Sequence, residues 1–294
     1  MVACTRRQHG FTLIELIVVI AITGIIAGMV AMFIRTPIQG YLATAQRAEL
    51  VDIADTALLR IARDVRAALP NSVRVTQSGG VYYLEFLPLQ EGGRYREAQD
   101  STATCASSPD DDASHACDVL QFSATDTSLA VLGPAVTVQA GQFVAVYNLG
   151  IPGSDAWAGD TLTPVNAAGS SACAGSGTAC QLAFDSFQFP LESPSRRFYL
   201  VGAPVTYVCT PGANGSGNLR RVTGYGNPSA AQPTSFAAAT SNALLASRIQ
   251  ACRITYDPGA SERLGQLTLW LQITQGDSGE SVSIYREVAV NNDA

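Results

Sequence analysis

The chain has 294 residues, 47% of them hydrophobic, with 18 basic residues against 24 acidic and a formal net charge of −6. Every basic residue is arginine, and none of the runs is basic enough to supply the clustered phosphate-neutralising charge of a nucleic-acid binder. The length permits two domains, yet no linker in the sequence separates two cores.

Met1 to Gly10 form a short basic leader carrying Arg6 and Arg7, and from Phe11 to Ile34 the only formal charge is Glu15. A helix over that stretch spans about 36 Å at ~1.5 Å per residue, enough to cross a hydrocarbon core about 30 Å thick. An acid inside such a span costs about 2.5–3.5 kcal/mol on insertion scales, so it points to a function and to a partner, here an amine. Arg6 and Arg7 before the span, against Arg35 after it, place the leader in the cytoplasm and export everything beyond Arg35. Three other readings compete. A secretory signal cut between Ala27 and Ala31 would have a shorter apolar centre without an acid. A twin-arginine signal would need an apolar pair where Gln8-His9-Gly10 stands. A plain anchor that keeps its leader leaves Glu15 unexplained.

Gly10 followed by Phe11-Thr12-Leu13-Ile14-Glu15-Leu16 resembles the type IV prepilin signal. That resemblance implies a membrane peptidase and methyltransferase that cuts between Gly10 and Phe11 and N-methylates Phe11, so that Glu15 becomes the fifth residue of the mature chain. Its further partners would be other major and minor pilins, an inner-membrane assembly platform and membrane lipid. The protein would cross the bacterial inner membrane once, with its head in the periplasm, before incorporation in a pilus. Within the family the chain is similar to the MshO-type minor pilins of the mannose-sensitive haemagglutinin (MSHA) pilus. The likeness runs through Pro37-Ile38-Gln39-Gly40-Tyr41, Arg47-Ala48-Glu49-Leu50-Val51-Asp52, Ala68-Leu69-Pro70-Asn71-Ser72-Val73-Arg74, Gly92-Gly93-Arg94-Tyr95-Arg96 and Glu280-Ser281-Val282-Ser283. The helix proline common in major pilins falls at Met32 here, and Pro37 follows later. A minor pseudopilin of a type II secretion system shares the signal, rod and sheet and is the alternative. A membrane-anchored periplasmic enzyme or binding protein is a third reading.

Beyond the span the same helix continues. Leu50, Ile53, Ala54, Ala57, Leu58, Ile61, Val65 and Leu69 fall at the i, i+3, i+4 spacing of one buried stripe. Asp52, Asp55, Arg60, Arg63, Asp64 and Arg66 take the other face, with Arg60 and Asp64 an i, i+4 pair. Pro70 ends the pattern, so helix is expected from Phe11 to Leu69, about 88 Å long at ~1.5 Å per residue. Pro37, followed by Gly40, predicts a kink.

After Pro70 the period is that of strands. They are expected at 81–87, 118–122, 142–147, 181–184, 197–201, 206–209, 249–256, 266–274 and 281–290. Loops are expected at 99–115, 153–178, 212–218 and 227–240. The pattern reads as an α+β fold, a pilin-like long N-terminal helix packed on one antiparallel sheet. Its parts are the leader 1–10, the membrane and assembly half of the helix 11–34, its amphipathic half 35–69, and a disulfide-bonded β-rich head 70–294.

Seven cysteines would leave one unpaired. Cleavage after Gly10 removes Cys4 and leaves Cys105, Cys117, Cys173, Cys180, Cys209 and Cys252, an even set that an oxidising periplasm can bridge. Sequence proximity favours Cys105–Cys117 and Cys173–Cys180, which leaves Cys209–Cys252, although six cysteines allow about fifteen pairings. A zinc site is the rival reading, weakened by the lack of a C-x-x-C pair. No catalytic residues, metal site or cofactor are expected. His115 stands in a loop beside Asp110, Asp111 and Asp112, which lack the alternate-residue calcium pattern. Gly175-Ser176-Gly177 and Gly215-Ser216-Gly217 read as flexible loop tips, and Trp157 and Trp270 as packing residues.

Overall fold

The structure is a computed structural model that describes residues 11–98, 118–134, 136–170, 180–259, 264–276 and 279–294. The chain divides into two units, the first ending at Glu49 and the second comprising Leu50–Ala294. One helix, α1 (Leu13–Arg66), contributes to both.

In the first unit the segment Leu13–Ile34 is long and apolar enough to cross a membrane, and none of it is buried. Its one hydroxyl-bearing residue, Thr23, donates back to the carbonyl of Val19 at 2.7 Å, which leaves no unsatisfied polar group on that side chain. The helix continues unbroken through Pro37 and Gly40.

In the second unit α1 buries the expected stripe. Leu50, Ala54, Ala57, Leu58, Ile61, Ala62 and Val65 are all at most 2% exposed. The helix ends at Arg66 rather than Leu69. Pro70 disfavours helical geometry at the residue before it, and the Leu69 N–H instead donates to the Leu87 carbonyl at 2.8 Å. The Leu89 N–H donates to Ala67 in turn, at 2.9 Å.

Among the described residues thirteen strands follow: β1 (Arg74–Ser78), β2 (Val81–Phe86), β3 (Leu89–Tyr95), β4 (Asp126–Leu132), β5 (Phe143–Val146), β6 (Leu162–Pro164), β7 (Cys180–Phe187), β8 (Arg197–Val201), β9 (Val205–Thr210), β10 (Gly217–Thr223), β11 (Ser241–Asp257), β12 (Leu264–Thr274) and β13 (Ser281–Asn291). They form two antiparallel sheets, where one was expected. The seven-stranded sheet has the order β1-β2-β9-β10-β11-β12-β13, and the six-stranded sheet the order β6-β5-β8-β3-β4-β7. The second is an excursion of the first: it comprises every strand between β2 and β9, which are neighbours in the first sheet. The pair β2/β9 passes straight into the pair β3/β8, from Phe86↔Val205 to Leu89↔Val201.

The stripe of α1 packs on the seven-stranded sheet, against Leu84, Phe86, Tyr207, Leu219, Leu269, Leu271 and their neighbours. In β12 the alternation is the expected one, with Leu267, Leu269, Leu271 and Ile273 buried and Thr268, Trp270 and Gln272 part-exposed. In the six-stranded sheet β5 is buried on both faces. Val144 and Val146 of β5 enter one cluster with Tyr95, Phe184 and Phe198, whereas Phe143 and Ala145 enter another with Leu69, Leu87 and Trp157.

Residues 118–122 are not a strand. The buried Asp126 takes the N–H of Gln121 at 2.7 Å and those of Thr127 and Ser128 at 2.7 and 3.3 Å, which turns the chain before β4. Strands also occupy stretches expected as loop, β6 within 153–178 and the start of β10 within 212–218.

Candidate functional site: the N-terminal end of the helix

Phe11 and Thr12 lie outside α1, and the helix begins at Leu13. Thr12 caps it: its hydroxyl oxygen accepts the Glu15 N–H at 3.3 Å, and its carbonyl accepts the Leu16 N–H at 3.2 Å. The first of these bonds satisfies one of the donors that a helix start leaves open, and the second is the first bond of the helix itself. The signal is legible in the sequence, because a threonine followed three residues later by a glutamate before an apolar run is a capping box. Reading Glu15 only as an intramembrane acid overlooks it. At the third helical position Glu15 stands in the first turn, where the helix dipole favours a carboxylate by about 0.3–1 kcal/mol.

That contribution does not replace a counter-charge. Among the described residues the Glu15 carboxylate has no ion-pair partner, and its neighbours Phe11, Leu13, Ile14, Leu16 and Ile17 are exposed apolar side chains. Among the described residues the geometry is an acid with no cation beside it, set one turn into an uncovered apolar surface. Gly10 lies outside the described residues.

The family described as the prokaryotic N-terminal methylation motif matches residues 5–31. The chain has a prepilin-type N-terminus. A prepilin-type N-terminus implies a type IV pilin or pseudopilin-like protein, a single membrane-anchoring helix, processing by a prepilin peptidase and assembly with other pilins. The apolar helix followed by a mostly β head of antiparallel sheets is consistent with a pilin-like α+β fold. No curated protein and no solved structure matches the chain.

In the second unit the candidate cysteines divide. Cys209 on β9 and Cys252 on β11 form a disulfide inside the core beneath α1. Cys105, Cys117, Cys173 and the side chain of Cys180 lie outside the described residues, and so do Asp110, Asp111, Asp112, His115 and Gly175-Ser176-Gly177. Among the described residues no group of three or more His, Cys, Asp or Glu side chains could hold a metal ion.

Gly215-Ser216-Gly217 is no flexible tip. A Cβ on Gly217 would stand 2.3 Å from the carbonyls of both Ile249 and Thr210, and Gly215 has φ 74° against the Thr274 carbonyl, so glycine is required by close backbone approach.

Two charged nodes fix the second unit. Asp64 was expected on the outer face of the helix, yet it reaches the sheet: the Tyr207 hydroxyl donates to it at 2.7 Å, Arg221 Nε at 3.0 Å and Arg60 Nε at 3.1 Å. Asp55 likewise pairs with Arg286 of β13 at 2.5 Å. Burial, then the Asp64 hydrogen bond, pushes the Tyr207 phenol well above its ordinary value. At the second node the buried Glu85 accepts Arg74 Nε and the Tyr225 hydroxyl, both at 2.7 Å. Arg74 also donates to the carbonyls of Ala230 and Ser229, and its guanidinium lies 3.7 Å over the Trp157 ring. The buried Trp157 donates its indole N–H to the Ser72 carbonyl at 2.9 Å. Burial, then the Glu85 charge, raises the Tyr225 phenol in the same way.

Proposed function

We propose that this protein is a minor pilin of a type IV pilus of the MSHA type, similar to MshO, which takes part in initiating filament assembly and is itself non-catalytic. The observation that carries the reading is the methylation motif over residues 5–31 together with Glu15, which among the described residues has no counter-charge and stands in the first turn of an exposed apolar helix.

On this reading residues 1–10 are the leader, 11–34 the membrane and assembly half of the helix, 35–69 its amphipathic half and 70–294 the head. A prepilin peptidase cuts between Gly10 and Phe11, and the new ammonium is N-methylated. The head lies in the periplasm until the subunit leaves the inner membrane for the pilus. Glu15 of an incoming subunit then pairs with the Phe11 ammonium of a neighbour already in the filament. Two such charges about 4 Å apart attract by ~4 kcal/mol at an effective dielectric of 20, while either one alone in lipid is unfavourable. The pair sets axial register, and the exposed Leu13, Ile17, Val18 and Ile20 supply adhesion between helices.

Glu15→Val tests the mechanism. The variant is expected to be cleaved and membrane-held as the wild type is, and to be depleted from sheared pili by about tenfold or more. Incorporation at the wild-type level would remove the charge pair from the account.

A further inference from the structure

We propose that one face of the six-stranded sheet carries a phosphate-binding site built by Arg94, Arg96 and Arg197. In the ladder of β3 with β8, Arg94 lies directly opposite Arg197. The adjacent pair is a bonded one, because the Tyr95 N–H donates to the Arg196 carbonyl at 2.9 Å. Arg94 and Arg197 therefore form a non-hydrogen-bonded pair, with Cα atoms about 4.5 Å apart and side chains at their closest. Like charges so placed repel and cost stability. Arg96 follows Arg94 by two, which by alternation keeps it on the same face, and its N–H donates to the Ala130 carbonyl at 3.2 Å. Relative to Arg197 it is a diagonal neighbour, about 7–8 Å away and within reach of a long side chain.

Among the described residues none of the three guanidiniums has an ion pair or a hydrogen bond. Arg94 and Arg197 are exposed, whereas Arg96 is part-buried, with its Nε shielded from solvent and unpartnered. Neighbouring charges show the contrast. Arg196 is taken by Glu97, and the buried Asp118 by the Gln181 amide at 2.9 Å. Tyr199, on the same face two residues beyond Arg197, lies against Gly92, where a Cβ would stand 3.1 Å from its Cδ1. That ring packs on the cluster of Leu69, Leu87 and Trp157, so it forms a fixed wall beside the arginines.

Charge and donor geometry select the ligand. Three uncompensated positive charges gather here in a chain whose net charge is −6. A guanidinium is a planar fork that binds two oxygens of a carboxylate or phosphate at once. A carboxylate brings one charge and two oxygens, enough for a single fork. A phosphoryl group brings nearly two charges and three acceptor oxygens, which suits three neighbouring arginines. The ligand is therefore a phosphoryl group, as free phosphate or as the monoester headgroup of a lipid. Its binding relieves the repulsion between Arg94 and Arg197 and gives the part-buried Arg96 a counter-charge. The site lies within the second unit and does not depend on the N-terminal signal.

The test titrates the full chain in detergent micelles by calorimetry at about pH 8, where a phosphate monoester is dianionic. The probes are inorganic phosphate, glycerol phosphate and short-chain phosphatidic acid, each at an ionic strength held constant with sodium chloride. Saturable binding is expected, about tenfold weaker to Arg94→Gln and to Arg197→Gln, with no response to acetate over the same range. Equal affinity for all three probes would identify free phosphate as the ligand. Tighter binding of the phosphatidic acid, lost in both variants, would identify a lipid headgroup. Both replaced side chains are exposed, so the variants keep the fold, which unchanged tryptophan emission checks. No saturable binding, wild-type affinity in both variants, or acetate binding as tightly as phosphate would each overturn the proposal.

Discussion

Removing the Cys209–Cys252 bridge should cost the second unit a large part of its stability, and the cost can be separated into cross-link and packing. The two cysteines lie 43 residues apart. On the chain-entropy relation a loop of that size restrains the unfolded chain by about 4 kcal/mol, set against a typical total of about 5–15 kcal/mol for a domain. Both cysteines are buried, Cys209 fully and Cys252 at 7% exposure, so replacing both with alanine adds the loss of two sulfurs from the core, about 1 kcal/mol each. Urea unfolding of the full chain in micelles reads this directly, because both tryptophans of the sequence, Trp157 and Trp270, lie in the second unit. At ~2–3 kcal/mol per molar urea the wild type refolded under reducing conditions should unfold about 1.5–2 M earlier than the oxidised protein. The double alanine variant should unfold earlier still, and should not respond to reductant. Coincident midpoints for oxidised and reduced wild type would refute the cross-link argument, whatever the variant did.

Asp64→Ala removes the acceptor of Tyr207, Arg221 and Arg60 at once and should destabilise the same unit by about 2–4 kcal/mol. Arg60→Ala, whose side chain is 49% exposed, should cost about 0.5 kcal/mol or less; equal effects in urea would show that Asp64 is not a node. Alkaline pH provides a third check. The Tyr207 and Tyr225 phenols are raised from an ordinary value of 10.0, first by burial and then by Asp64 and Glu85 respectively. Below pH 10 both phenols are protonated in folded and unfolded chains. Above it the unfolded chain releases protons that the folded one retains, so stability should be flat to about pH 10 and then fall by about 1.4 kcal/mol per pH unit for each phenol. Burial raises the Tyr95 and Tyr256 phenols as well, so Tyr207→Phe should remove one phenol's share of the slope, and a slope unchanged by the substitution would count against its burial.

Much of this architecture was legible because periodicity is a direct consequence of a one-sided core. The helical stripe from Leu50 to Val65 and the alternation of β12 were read in register, and β8 was placed residue for residue. What was missed has local causes. β10 opens with Gly217-Asn218 and carries Arg220-Arg221, which reads as loop. Arg221 lies opposite Tyr207 and turns toward the helix to meet Asp64, so a charge occupies a position that alternation assigns to an apolar residue. The first half of β11 was hidden by register shifts. Breaks at Gly217/Asn218, Leu219/Arg220 and Ile249/Ala251 separate its buried residues Ala246, Ile249 and Cys252 by three positions, not two. β3 contains Gly92-Gly93, poor strand formers in isolation. They are needed because a Cβ on Gly93 would stand 2.7 Å from the Phe198 ring. The second sheet could not be inferred from strand patterns alone, since β2 and β3 are separated only by Leu87-Pro88 and the change of sheet leaves no gap in the sequence. At the N-terminus Glu15 was found by its charge and Thr12 was overlooked, although the capping pattern that joins them is a local one.

The central claim is that Phe11 becomes the first residue of a methylated mature chain, and mass spectrometry of the N-terminal peptide tests it most directly. Protein from native membranes of the wild type and of a strain lacking the prepilin peptidase would be compared by intact mass and by sequencing of that peptide. The account predicts a chain beginning with monomethylated Phe11 in the wild type and an intact leader from Met1 in the mutant. An uncut Met1 in both strains, or a mature start near Met32, would contradict it.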